Sequence, residues 1–308
     1  MSKTALDQTL TLDTVPSIPV STVRDYFTLL KPGVMTLVVF TGAVGLLIAP
    51  GHLHPFLALV AIGCIAVASG AAASINMWYD RDIDIHMKRT MNRPIPAGRV
   101  PADEALSLGI FLSIVSVTVM AVAINLVAAV LLAVSIGFYV FVYTMWLKRR
   151  TPQNIVIGGA AGAFPPMIGW AAVTGGIDLN SVALFMIIFM WTPPHFWALA
   201  LFRCGDYAKV GVPMMPVVAG DVATKKQMLV YTILLLPVTL VPYFTGLLGV
   251  FYAVTAGLTG LWFLRHAWRV LRNAEEKAPQ KMFGYSILYL FVLFGAMVAD
   301  IWLESFIV

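Results

Sequence analysis

The chain alternates long apolar runs with short polar stretches, on a scale too long for buried strands. A helix needs about 20 mostly apolar residues to cross a bilayer. Nine runs approach or exceed that length: 33–49, 56–79, 104–123, 126–147, 153–173, 181–202, 228–245, 247–268 and 283–304. They are continuously apolar rather than alternating in and out, which argues against membrane strands. The pattern predicts an all-α membrane protein with nine transmembrane helices. Residues 1–30 read as a polar tail and residues 31–308 as one helical domain.

Composition agrees. Of 308 residues, 60% are hydrophobic and 11% charged, against about 25% charged in a soluble domain. The net charge of +5 raises nucleic-acid binding, but the basic residues all lie beside apolar runs, so no nucleic-acid partner is expected. Cys64 and Cys204 show neither CxxC nor metal spacing, so no disulfide framework or redox site is expected. The first thirty residues carry Asp7, Asp13 and Asp25 beside Lys3 and Arg24. A transit peptide is Arg-rich and poor in acid, so a bacterial inner (cytoplasmic) membrane is the expected location.

Lysine and arginine orient the bundle. All 20 fall in 1–32, 80–101, 148–150, 203–226 and 265–281. The connections at 50–55, 124–125, 174–180 and about 246 hold none. Positive-inside places the N-terminus and the charged loops in the cytoplasm and the C-terminus outside. The two long loops, 80–103 and 203–227, follow spans two and six, a hint of a four-helix period.

The first long loop carries the strongest chemical signal. Residues 76–101 read NMWYDRDIDIHMKRTMNRPIPAGRVP. Asn76, Asp80 and Asp84 are spaced by four, which puts them on one helix face that starts inside span two. Crowded carboxylates there need cations or a divalent metal to stay ionised. An all-oxygen set of carboxylates and an amide suits Mg²⁺, which commonly adds substrate phosphates. Lys88, Arg89 and Arg93 suit the same phosphates. A charge-balanced loop would explain the cations but not a carboxylate face at membrane depth.

Other signals are weaker. The second loop offers Arg203, Asp206, Tyr207 and Lys209, which would complete a two-sided diphosphate clamp, while Asp221 reads as a helix start. His195 follows Pro193 and Pro194 within span six. It reads as a substrate contact or as a partner for carbonyls freed by the prolines. Gly158, Gly159, Gly162, Pro165 and Pro166 make span five small-faced, as close helix packing requires. Arg265, Arg269 and Arg272 read as an interfacial basic face for anionic lipid. His86, His52 and His54 read as surface residues.

With NxxxDxxxD at 76–84 followed by MKRTMNRPIPAG, the sequence resembles the UbiA-type intramembrane prenyltransferases. Three further stretches resemble the heme-farnesylating branch: YTMWLKRRTPQNIVIGGAAGAFPPMIGW (143–170), WTPPHFWALAL (191–201) and DYAKVGVPMMPVVAG (206–220). The likeness runs from about residue 25 to 305. It implies nine helices around a central cavity. It implies Mg²⁺-dependent transfer of a farnesyl group from farnesyl diphosphate to the 2-vinyl group of heme B, with water addition, giving heme O. Carried over by motif, Asn76, Asp80 and Asp84 would form the first metal–diphosphate cluster and Asp206 would anchor the second. The position four after Asp206 is Val210, not a second aspartate. Lys209 therefore stands in as a direct diphosphate contact.

On this reading Asp80, Asp84, Asp206 and Lys148 are catalytic. Asn76, Lys88, Arg89, Arg93, Tyr143, Asn154, His195, Arg203 and Lys209 bind substrate. Arg149 and Arg150 read as plain inside-positive flanks. Trp191, Phe196 and Trp197 are candidates to stack on a porphyrin. The lipid bilayer holds the farnesyl tail, and heme A synthase or a terminal oxidase is an expected recipient of product. Three other classes stay open. A quinone-type aromatic acceptor would leave the aspartate motif unchanged. A secondary transporter would need more ionisable residues deep in its spans. A scaffold for an oxidase would leave the carboxylate face unexplained.

Overall fold

The structure is a computed structural model and describes residues 21–305. All regular structure there is helical. Most of the expected tail, residues 1–20, lies outside the described residues. Its last part forms α1 (Val23–Leu29), opened by a capping box between Thr22 and Asp25. A bend of 55° leads into α2 (Pro32–Leu47), and Lys31 sits in that bend with φ 51°.

The first half of the bundle continues with α3 (Pro55–Tyr79), the single turn α4 (Arg81–Asp84), α5 (Ala102–Ala123) and α6 (Leu126–Gly137). Helix α6 runs on as a ten-residue π-helix, Phe138–Leu147. Then come α7 (Asn154–Gly158) and α8 (Ala160–Thr174). The second half is α9 (Leu179–Phe202), the short α10 (Cys204–Lys209), α11 (Met215–Phe244), α12 (Val250–Leu271) and α13 (Ala278–Glu304).

Each of the nine predicted runs falls on helix. Among the described residues, seven helical segments are long and apolar enough to cross a membrane, or eight if the bent pair α1–α2 is one span. The eighth run, 247–268, forms α12 but is not among them. Thr255, Gly257, Thr259, Gly260, Arg265 and His266 dilute its apolar content. The expected nine crossings thus become seven or eight qualifying segments and one more polar helix. Helix α11 starts at Met215, ahead of the expected 228, because the polar stretch through Lys225 and Lys226 is also helical. Gly220 (φ 78°, ψ 170°) breaks it, and Asp221 opens the straight part, as a helix-start residue should.

Two apolar cores carry the fold. One joins buried residues of α3, α5, α6 and α8, with Leu46 of α2. The other joins α9, α11, α12 and α13, with Val44 of α2 and Trp170 of α8. This division matches the four-helix period suggested by the two charged loops. The seam between the cores is a backbone contact of α2 on α8. A Cβ at Gly45 would stand 2.1 Å from the Pro166 carbonyl oxygen, and one at Gly169 would stand 2.0 Å from the Gly42 oxygen. Only glycine permits that approach. On its other side α2 meets α13 through side chains, with the Phe40 and Phe291 rings 4.8 Å apart.

At the end remote from the charged loops, α13 caps α12. Asp300, 2% exposed, accepts from the backbone N–H of Tyr252 at 2.9 Å and from that of Gly249. A carboxylate there meets the orphan donors and positive dipole end of α12.

Candidate active site

The site forms where α3 ends. Asp80 caps α3 and starts α4, yet the helical bonds run through it: Asp80 N–H donates to Asn76 O and Asp84 N–H to Asp80 O, both at 2.9 Å. The four-residue spacing therefore keeps its geometric meaning across the bend. Asn76, Asp80 and Asp84 are all buried, at 3%, 0% and 2% exposure. They share one cluster, as the spacing predicts.

Each of the three has a cationic partner. Lys148 forms an ion pair with Asp80 Oδ2, which also accepts from Asn76 Nδ2 at 2.8 Å. Lys31 Nζ donates to Asn76 Oδ1 at 2.7 Å. Arg93 pairs with Asp84 at 2.5 Å. Thr144 Oγ1 accepts the second Asn76 amide hydrogen at 3.1 Å, and Thr90 Oγ1 donates to the Asp84 carbonyl at 2.8 Å. Lys31 lies in electrostatic range of Arg93, Lys148, Asp80 and Asp84 together. Buried carboxylates are tolerated only when paired in this way.

The π-helix sets this pairing. Its wider turn ends with Lys148 N–H donating to Tyr143 O at 2.9 Å, five residues back. It presents Thr144 and Lys148 to the Asn76–Asp80 face. Such turns recur at functional sites. Tyr143 packs against Gly158, where a Cβ would stand 2.2 Å from its ring, and lies in electrostatic range of Tyr207, Asp80 and Arg89. Asn154 is fully buried, and its Nδ2 donates to the Lys148 carbonyl at 3.3 Å. The residue thus holds the lysine's backbone.

Arg149 corrects an expectation. It is no plain flank: it forks onto Asp82 with two bonds of 2.7 Å, reaches the Tyr79 carbonyl at 3.1 Å and stands 3.5 Å from Asp80 Oδ1. Its hydrogen bonds hold the Asp82 carboxyl below the usual range. Asp82 is thereby turned away from the face that holds Asp80 and Asp84.

Lys88 and Arg89 are exposed on the rim, as is His86. In the second loop Asp206 is half-buried, while Arg203 and Lys209 are exposed. Among the described residues no side chain pairs with Asp206. The two loops do meet. Met87 and Ile83 of the first pack with Tyr207, Val212 and Met214 of the second, together with Ile155 and Phe196. Sequence reasoning missed Lys31, Thr144 and Thr90. A lysine just before a proline-started span was the one available signal for Lys31.

His195, 9% exposed, is stacked between Trp191 and Phe283, with centroids 4.3 and 4.6 Å away. Its Nδ1 lies 2.7 Å from Ser286 Oγ. It does not bond the carbonyls freed by Pro193 and Pro194, as one expectation had it. Ser286 Oγ also lies 2.6 Å from the Phe283 carbonyl oxygen. Two oxygens so close need a hydrogen between them, and the hydroxyl supplies it. His195 Nδ1 is therefore the donor to Ser286, and Nε2 keeps its lone pair. Trp197 is fully buried against Tyr231 in the second core, so it is not free to stack on a porphyrin. Trp191 is held by its Nε1 donating to the Ser286 carbonyl at 2.8 Å. Phe196 alone of the three lies between the loops.

The donor set accommodates a metal ion only in part. Among the described residues no group of three His, Cys, Asp or Glu side chains could hold an ion unaided. Asp80 Oδ1, however, is buried with no hydrogen-bond partner. With Asp84 and Asn76 it offers hard oxygen ligands of the kind Mg²⁺ shares with substrate phosphates. The residues fit that ion, provided an anionic substrate completes the shell.

The chain matches the UbiA prenyltransferase family over residues 38–295, and it belongs to that family. It is a prenyltransferase. It is 58% identical over 308 residues to a protein of Acidiphilium cryptum and 55% identical over 304 residues to one of Parvibaculum lavamentivorans, both named protoheme IX farnesyltransferase. In both cases 97% of this chain and 96% of the relative are covered. The fold is similar to that of a digeranylgeranylglyceryl phosphate synthase (TM-score 0.75, 18% identity, covering 90% of this chain and 97% of that one). It is also similar to a UbiA homolog of Archaeoglobus fulgidus bound to DMAPP and Mg²⁺ (TM-score 0.66, 17% identity, 89% and 99% covered).

Proposed function

We propose that this enzyme moves the farnesyl group of farnesyl diphosphate to the 2-vinyl group of heme B, with addition of water, to give heme O. One observation carries the reading: two buried aspartates and an asparagine, ringed by Lys31, Arg93 and Lys148, at the end of an apolar helix. Such a place suits a substrate with a charged head and a lipid tail. The chain's likeness to full-length proteins named protoheme IX farnesyltransferase supports the acceptor.

Asn76, Asp80 and Asp84 would hold Mg²⁺, and Asp206 of the second loop would anchor the second metal–diphosphate contact. When bound, Mg²⁺ neutralises charge that develops on the departing diphosphate. Lys148, Arg93 and the rim residues Lys88, Arg89, Arg203 and Lys209 bind the same phosphate oxygens as the allylic C–O bond breaks. The outer vinyl carbon then bonds to farnesyl C1. Water adds at the inner vinyl carbon and loses a proton, so the balance is heme O, diphosphate and one proton. Tyr143 and Asn154 fix Lys148. His195 presents its unprotonated Nε2 to the porphyrin, held by Ser286. The charged end faces the cytoplasm of a bacterial inner membrane, and product passes to heme A synthase or a terminal oxidase.

The test is extraction and mass spectrometry of heme from membranes given heme B, farnesyl diphosphate and Mg²⁺. A farnesylated, hydrated heme is expected from the intact protein and none from Asp80→Asn. An inserted, folded protein that prenylates a quinone-type ring instead would overturn the acceptor while keeping the site.

A further inference from the structure

A second feature lies away from the active site, on the outer face of α11 and α12. A groove of about 490 Å³ runs between them, lined by Leu229, Ile233, Leu261, Leu264, Arg265 and Trp268. Its volume is that of a small-ligand site. Its walls are apolar, and no carboxylate lines it. Trp268 lines it and Trp262 lies against Arg265, each 49% exposed.

The groove has a charged end. Arg265 lies over the Trp262 ring at 4.5 Å and Arg272 over Trp268 at 5.1 Å. Among the described residues neither guanidinium meets a carboxylate, whereas Arg269 is bound to Glu275. Lys226, exposed and equally without an acid, precedes Leu229 by one turn on α11. Three cations thus stand without anions beside an apolar channel. From Arg272 down to Leu261 is roughly 16 Å along the helix, about half of a hydrocarbon core. The lined stretch, Leu261 to Trp268, takes up roughly 10 Å of that and lies within the depth of one leaflet. Tryptophans at its mouth sit where interfacial aromatics belong.

We propose that this groove binds one anionic phospholipid, with an acyl chain along Leu229, Ile233, Leu261 and Leu264 and its phosphate between Arg265, Arg272 and Lys226. Charge complementarity selects the headgroup. A choline or ethanolamine head offsets its own phosphate with an ammonium, so it brings no net negative charge to three cations that lack a counter-ion. An anionic lipid supplies the missing charge, and each basic residue at a surface adds to that attraction.

Native mass spectrometry of the full chain in detergent tests the proposal, with phosphatidylglycerol and phosphatidylcholine offered in equal amounts. The expected result is retention of phosphatidylglycerol on the order of tenfold over phosphatidylcholine. Arg265→Gln with Arg272→Gln brings the ratio close to one. Ile233→Trp, which fills the channel, lowers retention of both lipids. Prenyl-transfer turnover under saturating substrate stays unchanged in the arginine variant, which shows that it folds. Equal retention of the two lipids by the unaltered protein would overturn the proposal. So would thermal stabilisation by inorganic phosphate as large as by phosphatidylglycerol, or a dimer that the arginine variant abolishes. Should Ile233→Trp fail to fold, the arginine variant decides alone.

Discussion

Replacing Lys148 with methionine removes the cation that neutralises Asp80. The Asp80 side chain is fully buried and that of Lys148 is 17% exposed. The substitution leaves a buried carboxylate with the Asn76 amide at 2.8 Å and Arg149 at 3.5 Å. Breaking a buried pair by removing one partner costs about 3–5 kcal/mol. The remaining guanidinium offsets part of that, which places the expected loss near 3 kcal/mol. For a chain of this size that is roughly 6 °C in Tm, at about 2 °C per kcal/mol. Turnover should fall about 100- to 1,000-fold, as when one stabilising donor is lost from a transition-state site. The assay is thermal unfolding of the detergent-solubilised protein beside diphosphate release. The double change Asp80→Asn with Lys148→Met removes both charges, so it should recover most of the Tm and none of the turnover. If the single variant unfolds and turns over like the unaltered protein, Lys148 does not neutralise Asp80. If the double variant is as unstable as the sum of the two single changes, the pair is not coupled, and the electrostatic argument fails.

Ser286→Ala frees His195 to rotate or change tautomer. Heme B titration followed by its Soret band should show about 10- to 100-fold weaker binding, the size of other outer-shell losses, with Ser286→Thr close to unaltered. Gly169→Ala forces a Cβ into the Gly42 carbonyl and should cost at least about 1–3 kcal/mol, whereas Gly162→Ala, with open space around it, should stay within about 0.5 kcal/mol; both are read by thermal unfolding. Asp82→Asn tests the Arg149 fork through pH. Because the folded carboxyl is held low, its contribution is present above the unfolded value of about 3.9 and is lost as pH falls through the lower folded value. The Tm gap between variant and unaltered protein should persist at pH 7 and close in acid; a gap that widens in acid sinks the assignment. Asp300→Ala should lower Tm by leaving two α12 N–H groups buried and unpaired, and Asp300→Asn should lose less.

The helices were legible because each bilayer-length run of apolar residues has no stable soluble alternative. The Asn76–Asp80–Asp84 face was legible because a four-residue repeat survives the bend at Asp80. Lys31 was not, since its contact with Asn76 depends on a 55° bend that apolar periodicity does not encode. The part played by Arg149 was not legible because, beside Lys148 in the sequence, it reads as one more inside-positive flank. The π-helix fixes which carboxylate each one meets, and a one-residue widening leaves no mark on hydropathy. Helix α12 read as a plain span because a count of apolar letters does not weigh Arg265 and His266 against the glycines and threonines beside them.

The glycine seam between α2 and α8 has a mechanical consequence. Backbones that touch carbonyl to Cα have no side chains to slide over one another, so the two four-helix cores are denied shear along that line. What remains is rotation about it. A rotation pivoting on Gly42, Gly45 and Gly169 changes little at the pivot and most at the far side, where α2 faces α13 through the Phe40 and Phe291 rings. Aromatic rings can turn aside where backbones cannot. The bundle is therefore stiffest along the α2–α8 line and most yielding where α2 meets α13 through the Phe40 and Phe291 rings.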